Sequence, residues 1–343
     1  MFANSKQISL RINSEIMPEL RYAIGATLIM AFAMAFGGQL AFVIPYLALN
    51  FLAPGTKIPK IKQAVIFILI VAVSSISALI FTSFFFPYPL VYIPLLALIL
   101  FWIFYTDKIS FIAKIFLIMS FLAIPVPNPL MNVTEWGAAI AITLITGSAS
   151  SIFMVWIVYS LFPDKKTDTE TGNKTAKTAS KLSQRERINN ALATLFVTFP
   201  VIIVFIFFQL SDYLLILVYI VLFTMMSDVG KIQSKIKIYG NIIGGIATII
   251  FYEMIIIVPE FFFFVLLFFG TALFFSKKIF SGKTNAVYYK TAFSTLTLII
   301  GDISMGSENA SNEIYLRIIQ IFIAVIYIII GLELINRIKK KRT

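Results

Sequence analysis

AVIFILIVAVSSISALIF, from Ala64 to Phe81, is apolar on every side of any regular structure it could form, with only Ser74, Ser75 and Ser77 interrupting it. A strand of an outer-membrane barrel would alternate polar and apolar residues, and this run does not. Apolar runs of about 20 residues match a hydrocarbon core of roughly 30 Å when they are helical. Inside a bilayer every backbone polar group must also be satisfied within the segment, which again selects the helix. The rest of the composition agrees. Mean hydropathy is +0.94, and 35 Phe with only 13% charged residues exceed what a soluble core could hide. The fold class expected is an all-α polytopic membrane protein.

Further apolar runs place spans near 21–37, 39–54, 63–86, 89–106, 109–126, 136–162, 188–209, 212–227, 238–258, 260–276, 288–306 and 314–336. That is about 12 transmembrane helices. The second and eighth are short, so either of the pairs they close could be a shallow helical hairpin, which leaves a range of about 10–12.

Lys and Arg near span ends mark the cytoplasmic side whatever the acidic residues do. Basic residues fill alternate loops: Lys6, Arg11 and Arg21; Lys57, Lys60 and Lys62; Lys108 and Lys114; the 163–187 segment; Lys231, Lys235 and Lys237; Lys277, Lys278, Lys283 and Lys290; and Arg337 to Arg342. Of 28 basic residues only Arg317 falls in an outer loop, where Glu135, Asp212, Glu260, Glu308 and Glu313 lie. The expected location is a bacterial inner (cytoplasmic) membrane, multi-pass, with both termini cytoplasmic. A net charge of +12 spread over separate short loops suits an anionic leaflet, and no nucleic acid is expected as a partner.

GTKIPKIK (Gly55–Lys62) and GKIQSKIK (Gly230–Lys237) spell nearly the same phrase, their Lys-Ile-Lys cores 175 residues apart. Gln39-Leu40 recurs as Gln209-Leu210, and Lys108 as Lys278, both at a shift of 170. The common shift implies two parallel pseudo-repeats of six spans, related by an axis along the membrane normal. The expected organisation is an N-terminal amphipathic cytoplasmic segment at 1–20, a first membrane half at 21–162, a flexible cytoplasmic linker at 163–187, a second half at 188–338 and a basic tail at 339–343. The linker is rich in Thr, Lys and Ser and almost free of apolar residues. Ile8, Ile12, Ile16 and Leu20 fall at helical spacing, as a helix on the inner surface would require, and no signal peptide precedes them.

Soluble-enzyme chemistry finds little to work with. The chain has no His and no Cys, which removes His-dependent triads, common zinc sites and thiolate chemistry. Ser281-Gly-Lys-Thr284 resembles the end of a phosphate loop, but Lys277 stands where a glycine is required. The sequons at Asn132, Asn173 and Asn309 are of a kind frequent by chance. No enzyme activity, cofactor or metal is expected.

Ionisable or helix-breaking residues at membrane depth are costly and are therefore the candidate sites. Glu253 and Asp302 are the proton-coupling candidates, each placed toward an outer span end. Arg317 could pair with Asp302 across a short loop, and Glu333 with Arg337 at i, i+4. Pro45 with Asn50, Pro94 and Pro200 could open carbonyls toward a substrate pathway, to which Arg317 is also assigned. Gly240, Gly244 and Gly245 allow close helix packing.

IPYLALNFLAPGTKIPKIKQAVIFILIVAVSSISAL (Ile44–Leu79) resembles the second and third spans of the fusaric acid resistance and aromatic acid exporter family, in which a Pro-aromatic helix leads into a basic loop containing Gly-Thr. KIKIYGNIIGGIATIIF (Lys235–Phe251) is similar to its counterpart in the second half. The chain departs from the family at Tyr46-Leu47, where a Tyr/Trp pair is usual, and in having a short linker where a large cytoplasmic domain is common. The resemblance implies an inner-membrane efflux component for aromatic or amphipathic carboxylic acids. The partners expected are membrane lipid, a periplasmic adaptor protein, further copies of the chain and a small organic acid substrate. Proton coupling would use Glu253 or Asp302 alternating between protonated and ionised forms; a non-transporting membrane scaffold or accessory subunit would need neither.

Overall fold

The computed structural model describes residues 2–36, 43–106, 111–126, 131–163, 184–210 and 230–303, with 319, 323, 326, 327, 330 and 331 beyond them; the side chains of 2–15, 36, 43, 111, 230–238, 302 and 303 lie outside the description. The expected span at 212–227, most of that at 314–336, most of the linker, Asn173, Asn309, Arg317, Glu333 and Arg337 therefore lie outside the described residues. Every regular element among those described is a helix: α1 (Phe2–Phe36), α2 (Val43–Leu52), α3 (Ile61–Phe85), α4 (Pro89–Tyr105), α5 (Phe111–Ala123), α6 (Val133–Leu161), α7 (Gln184–Phe207), α8 (Gly230–Ile257), α9 (Phe261–Ile279) and α10 (Ala286–Ile303).

Six of these are long and apolar enough to cross a membrane: the Ile16–Ala35 part of α1, α3, α6, α7, the Tyr239–Ile257 part of α8, and α9. The chain is built as a helical multi-pass membrane protein. Large apolar side chains such as Leu90, Ile257, Phe262 and Phe196 stand mostly exposed on helix faces, where hydrocarbon is the solvent that suits them. Two elements differ from simple spans. The amphipathic N-terminal stretch and the first span form one unbroken helix, α1, with Pro18 inside it. Helix α2 has 10 residues, about 15 Å of rise and half of a hydrocarbon core.

The repeated basic phrase takes two forms. GTKIPK leaves α2 as a turn and extended loop, with Gly55 at φ 77°, and helix α3 begins only at Ile61. GKIQSKIK is helical from Gly230 onward as the start of α8. Prolines explain the contrast. Pro54 stands just before the first phrase and Pro59 within it, and each removes a backbone donor and pushes its predecessor out of the helical region; the second phrase contains none.

Two compact units divide the chain, and each draws on both sequence halves. The first comprises 1–61, 147–178 and 235–310; the second comprises 62–146, 179–234 and 311–343. In the first, α1 packs most extensively against α9, with α2 and α10 alongside. Tyr22, Ala26, Ile29, Met30 and Ala33 recur at helical spacing to form the buried face of α1, and Phe264, Phe268, Ala272 and Phe275 form that of α9. Rings lock this core: Phe293 of α10 lies 5.8 Å from Tyr22, 5.8 Å from Phe268 and 5.3 Å from Phe275 between centroids.

In the second unit the most extensive packing is α4 on α7, with α5 against α4. Helix α3 buries Phe67, Val71, Ser74, Ser75, Ala78 and Thr82. Its hydroxyls meet α5, with Ser75 Oγ 3.0 Å and Ser74 Oγ 3.3 Å from Ser120 Oγ. The Tyr327 hydroxyl donates to the Val197 carbonyl of α7 at 2.9 Å, close to where a Cβ on Gly331 would come within 3.2 Å of the Val197 methyls.

Candidate functional site

Among the described residues buried charge is scarce, and α1 supplies it. Arg21 is only 7% exposed, and the adjacent Tyr22 is fully buried. Both stand well inside α1, because the helix runs on from Phe2 instead of ending near residue 20. The guanidinium carbon of Arg21 lies 4.2 Å from the ring centroid of Tyr159 on α6, a cation–π contact strengthened by desolvation. Tyr159 in turn donates to the Phe51 carbonyl at the end of α2, at 3.4 Å.

Helix α6 holds α2 and its loop at three levels. Ser151 donates to the Ile44 carbonyl at 3.1 Å, Tyr159 to Phe51, and the Trp156 indole N–H to the Pro59 carbonyl at 3.0 Å. Thr56 closes the helix end, its hydroxyl lying 2.7 Å from the Phe51 carbonyl and 2.6 Å from that of Ala53. Tyr159 is thereby oriented over Arg21 by a helix end with its own caps.

Tyr22, one residue on and so turned about 100° around α1 from Arg21, stands in the neighbouring aromatic layer. Its ring meets Phe280 edge-on at 5.7 Å and Phe293 at 5.8 Å, and its hydroxyl has no hydrogen-bond partner among the described residues. An unpaired hydroxyl in such surroundings costs free energy that a bound acceptor would recover. A guanidinium, a phenolic O–H and aromatic rings within one unit are the donors and surfaces that an aromatic carboxylate would use.

A second polar contact joins α8 to α10 in the same unit. The Thr295 hydroxyl is 2.6 Å from Asn241 Oδ1 and 3.0 Å from the Thr291 carbonyl, while the Asn241 amide nitrogen has no partner among the described residues. Gly240 and Gly244 make room for it. A Cβ on Gly240 would meet Thr291 Cβ at 2.7 Å, and one on Gly244 would meet the Ala292 carbonyl oxygen at 2.6 Å. Gly245 is buried on the same helix.

The remaining sequence candidates are scattered. Glu253 lies on the exposed face of α8 with Ile250, Met254 and Ile257. Asp302 belongs to the last turn of α10, its side chain outside the described residues, as is Arg317 entirely. Pro45 is buried in the first turn of α2, where a missing N–H removes no helical hydrogen bond. Asn50 is half-buried, and its amide donates to the Tyr46 carbonyl at 2.9 Å. Pro94 in α4 and Pro200 in α7 stand on exposed faces. Sequence reasoning assigned Arg21 to a basic loop and passed over Tyr22; the signal available was an Arg-Tyr pair at the start of an apolar run. No protein-family model, curated protein or solved structure matches the chain.

Proposed function

We propose that the protein is an efflux transporter component of a bacterial inner membrane, proton-coupled, acting on small aromatic or amphipathic carboxylic acids. The observation that carries this reading is the buried Arg21–Tyr159 contact, together with the unpartnered hydroxyl of the next residue, Tyr22. An arginine buried at 7% exposure in a membrane-spanning helix is a functional-site hypothesis by default. The Tyr159 ring beside it and the unpartnered hydroxyl of Tyr22 fit a ligand with a ring and a carboxylate.

A duplicated architecture supports transport, because repeats build a pathway where they meet. Taking the spans in order, the first unit combines the first, second and the latter part of the sixth of the first half with the third, fourth and fifth of the second. The second unit holds the complement. The dominant packing obeys the same exchange: α1 on α9 and α7 on α4 both pair a first span with the fourth span of the other half. The alternation of basic loops favours cytoplasmic termini, and Glu253 and Asp302 remain the titratable groups assigned to proton coupling. A periplasmic adaptor and further copies of the chain are the proposed partners. The exposed position of Glu253 favours the second reading, a non-transporting membrane scaffold that needs no titratable group in a cavity.

Proteoliposomes under an imposed pH gradient, supplied with a panel of aromatic acids, decide between them. Tyr22→Phe keeps the ring and removes the donor, so transport should persist with a raised KM. Glu253→Gln or Asp302→Asn should abolish gradient-driven flux in a folded protein. Wild-type transport in all three variants, or none by the wild-type chain on any acid, would refute the mechanism and leave the scaffold.

A further inference from the structure

An open, almost wholly apolar groove of about 870 Å³ runs along the second unit between α3, α4 and α5. Its walls include Leu69, Val73, Leu98 and Trp102, all more than half exposed, so it opens sideways to the surrounding hydrocarbon. On α3 the lining extends from Ile66 to Ser77, about 16 Å of helix, which is close to one leaflet of a core of roughly 30 Å.

One end of the groove is charged, and the helical spacing shows why this matters. Lys62 precedes Ile66, Leu69, Ile70 and Val73 at i+4, i+7, i+8 and i+11, so it lies on the groove face of α3 one turn beyond the lining. Lys114 precedes Leu117 and Phe121 at i+3 and i+7 on α5, again on the groove face and one turn beyond. Its ammonium donates to the Phe104 carbonyl near the end of α4 at 3.0 Å, which brings it to that helix end. Trp102 and Tyr105 close the same end of α4, their rings 5.9 Å apart, the pairing expected at headgroup level.

We propose that this groove binds an anionic phospholipid, one acyl chain lying along α3 against Leu69, Val73 and Ser77 and the phosphate meeting Lys62 and Lys114. The length of the groove selects a chain confined to one leaflet. The two lysines on its face select an anionic headgroup over a zwitterionic one. The site is separate from the Arg21 group and does not depend on what the protein transports.

Trp102 reports directly, since it is a wall of the groove and the chain has only 3 Trp. In a Trp136→Phe, Trp156→Phe background reconstituted in phosphatidylcholine, a small fraction of phosphatidylglycerol brominated on its chains should quench Trp102 several-fold more than brominated phosphatidylcholine at the same fraction. Lys62→Gln with Lys114→Gln should bring the two lipids to equal quenching, as should high salt, and Ser77→Phe should lower quenching by both. Equal quenching in the parent chain overturns the proposal. So does a preference that survives both lysine replacements, or stronger quenching by a brominated free fatty acid, which would make the occupant a soluble carboxylate. Native mass spectrometry of the unmodified chain from mixed vesicles gives an independent reading: retention of phosphatidylglycerol over phosphatidylcholine is expected, and indifference between them refutes the site.

Discussion

Under the proposed duplication the seam between α3 and α5 corresponds to the seam between α8 and α10, and the two are closed by different means. At the first, side chains keep the helices apart: Phe67 meets Phe116 edge-on at 5.4 Å, and serine hydroxyls bridge the remaining space. At the second, glycines bring backbone against backbone, and one Asn–Thr contact sits beside them. Apolar area supplies little drive for helix association in lipid, where the tails are as apolar as leucine. Close packing and interhelical hydrogen bonds must act instead, and the two seams weight these differently. Stability should therefore respond to volume at α8–α10 and to hydroxyl deletion at α3–α5.

The sharpest way to break this contrast is a single methyl group. Gly244→Ala puts a Cβ 2.6 Å from the Ala292 carbonyl oxygen, which is backbone and cannot swing aside. We expect a loss of about 3 kcal/mol, read as a large drop in the thermal or denaturant midpoint in lipid or detergent. Gly137→Ala in the second unit meets Leu79 Cδ1, the end of a flexible side chain, at 2.7 Å and the Ile124 Cγ2 methyl at 3.0 Å, with its nearest backbone contact at 4.0 Å, and should cost only about 1 kcal/mol. Equal losses at the two sites would show that backbone proximity is not the deciding factor.

Polar deletions should be smaller. Ser120→Ala removes the shared partner of Ser74 and Ser75, and Asn241→Ala removes that of Thr295. Each should cost about 0.6 kcal/mol, the scale of interhelical hydrogen bonds in membranes. Asn241→Ala should cost the less of the two, because Thr295 keeps the Thr291 carbonyl and the unpartnered amide is removed. A greater loss at Asn241 would mean that the amide has a partner supplied by the membrane or a ligand. The control is Gly270→Ala on the exposed side of α9, where a Cβ meets nothing within 4 Å. A shift under about 0.5 kcal/mol is expected, and a larger one would indicate a contact made only in the membrane.

The sequence and the structure agree where local physics decides. The uniform apolarity of residues 64–81 is enough to make α3 a helix, and the positions of most other helices follow from runs of the same kind. What stayed hidden depends on contacts distant in the chain. Arg21 looked like a loop residue because charge near a span end reads as surface; its burial requires Tyr159, which only the folded unit brings beside it. The two basic phrases look alike as strings, yet the prolines before and within one make it a loop, while the other is helical. Nor could periodicity reveal that α1 takes its main partner from the far half of the chain, since each helix shows only that it has a face to bury.

That last pairing has a consequence in time. About 225 residues separate the end of α1 from the start of α9. At a synthesis rate of about 5–20 residues per second, α1 leaves the ribosome roughly 10–45 s before its principal neighbour exists. Helix α6 is made much sooner, so Tyr159 can cover Arg21 well before the aromatic layer of α9 arrives. The nascent first unit must therefore wait half-built, with the face of α1 that will meet Phe268 and Phe275 open to lipid or to the insertion machinery. The interval during biogenesis when this protein is most vulnerable to misassembly or degradation thus follows from the order in which its helices are translated.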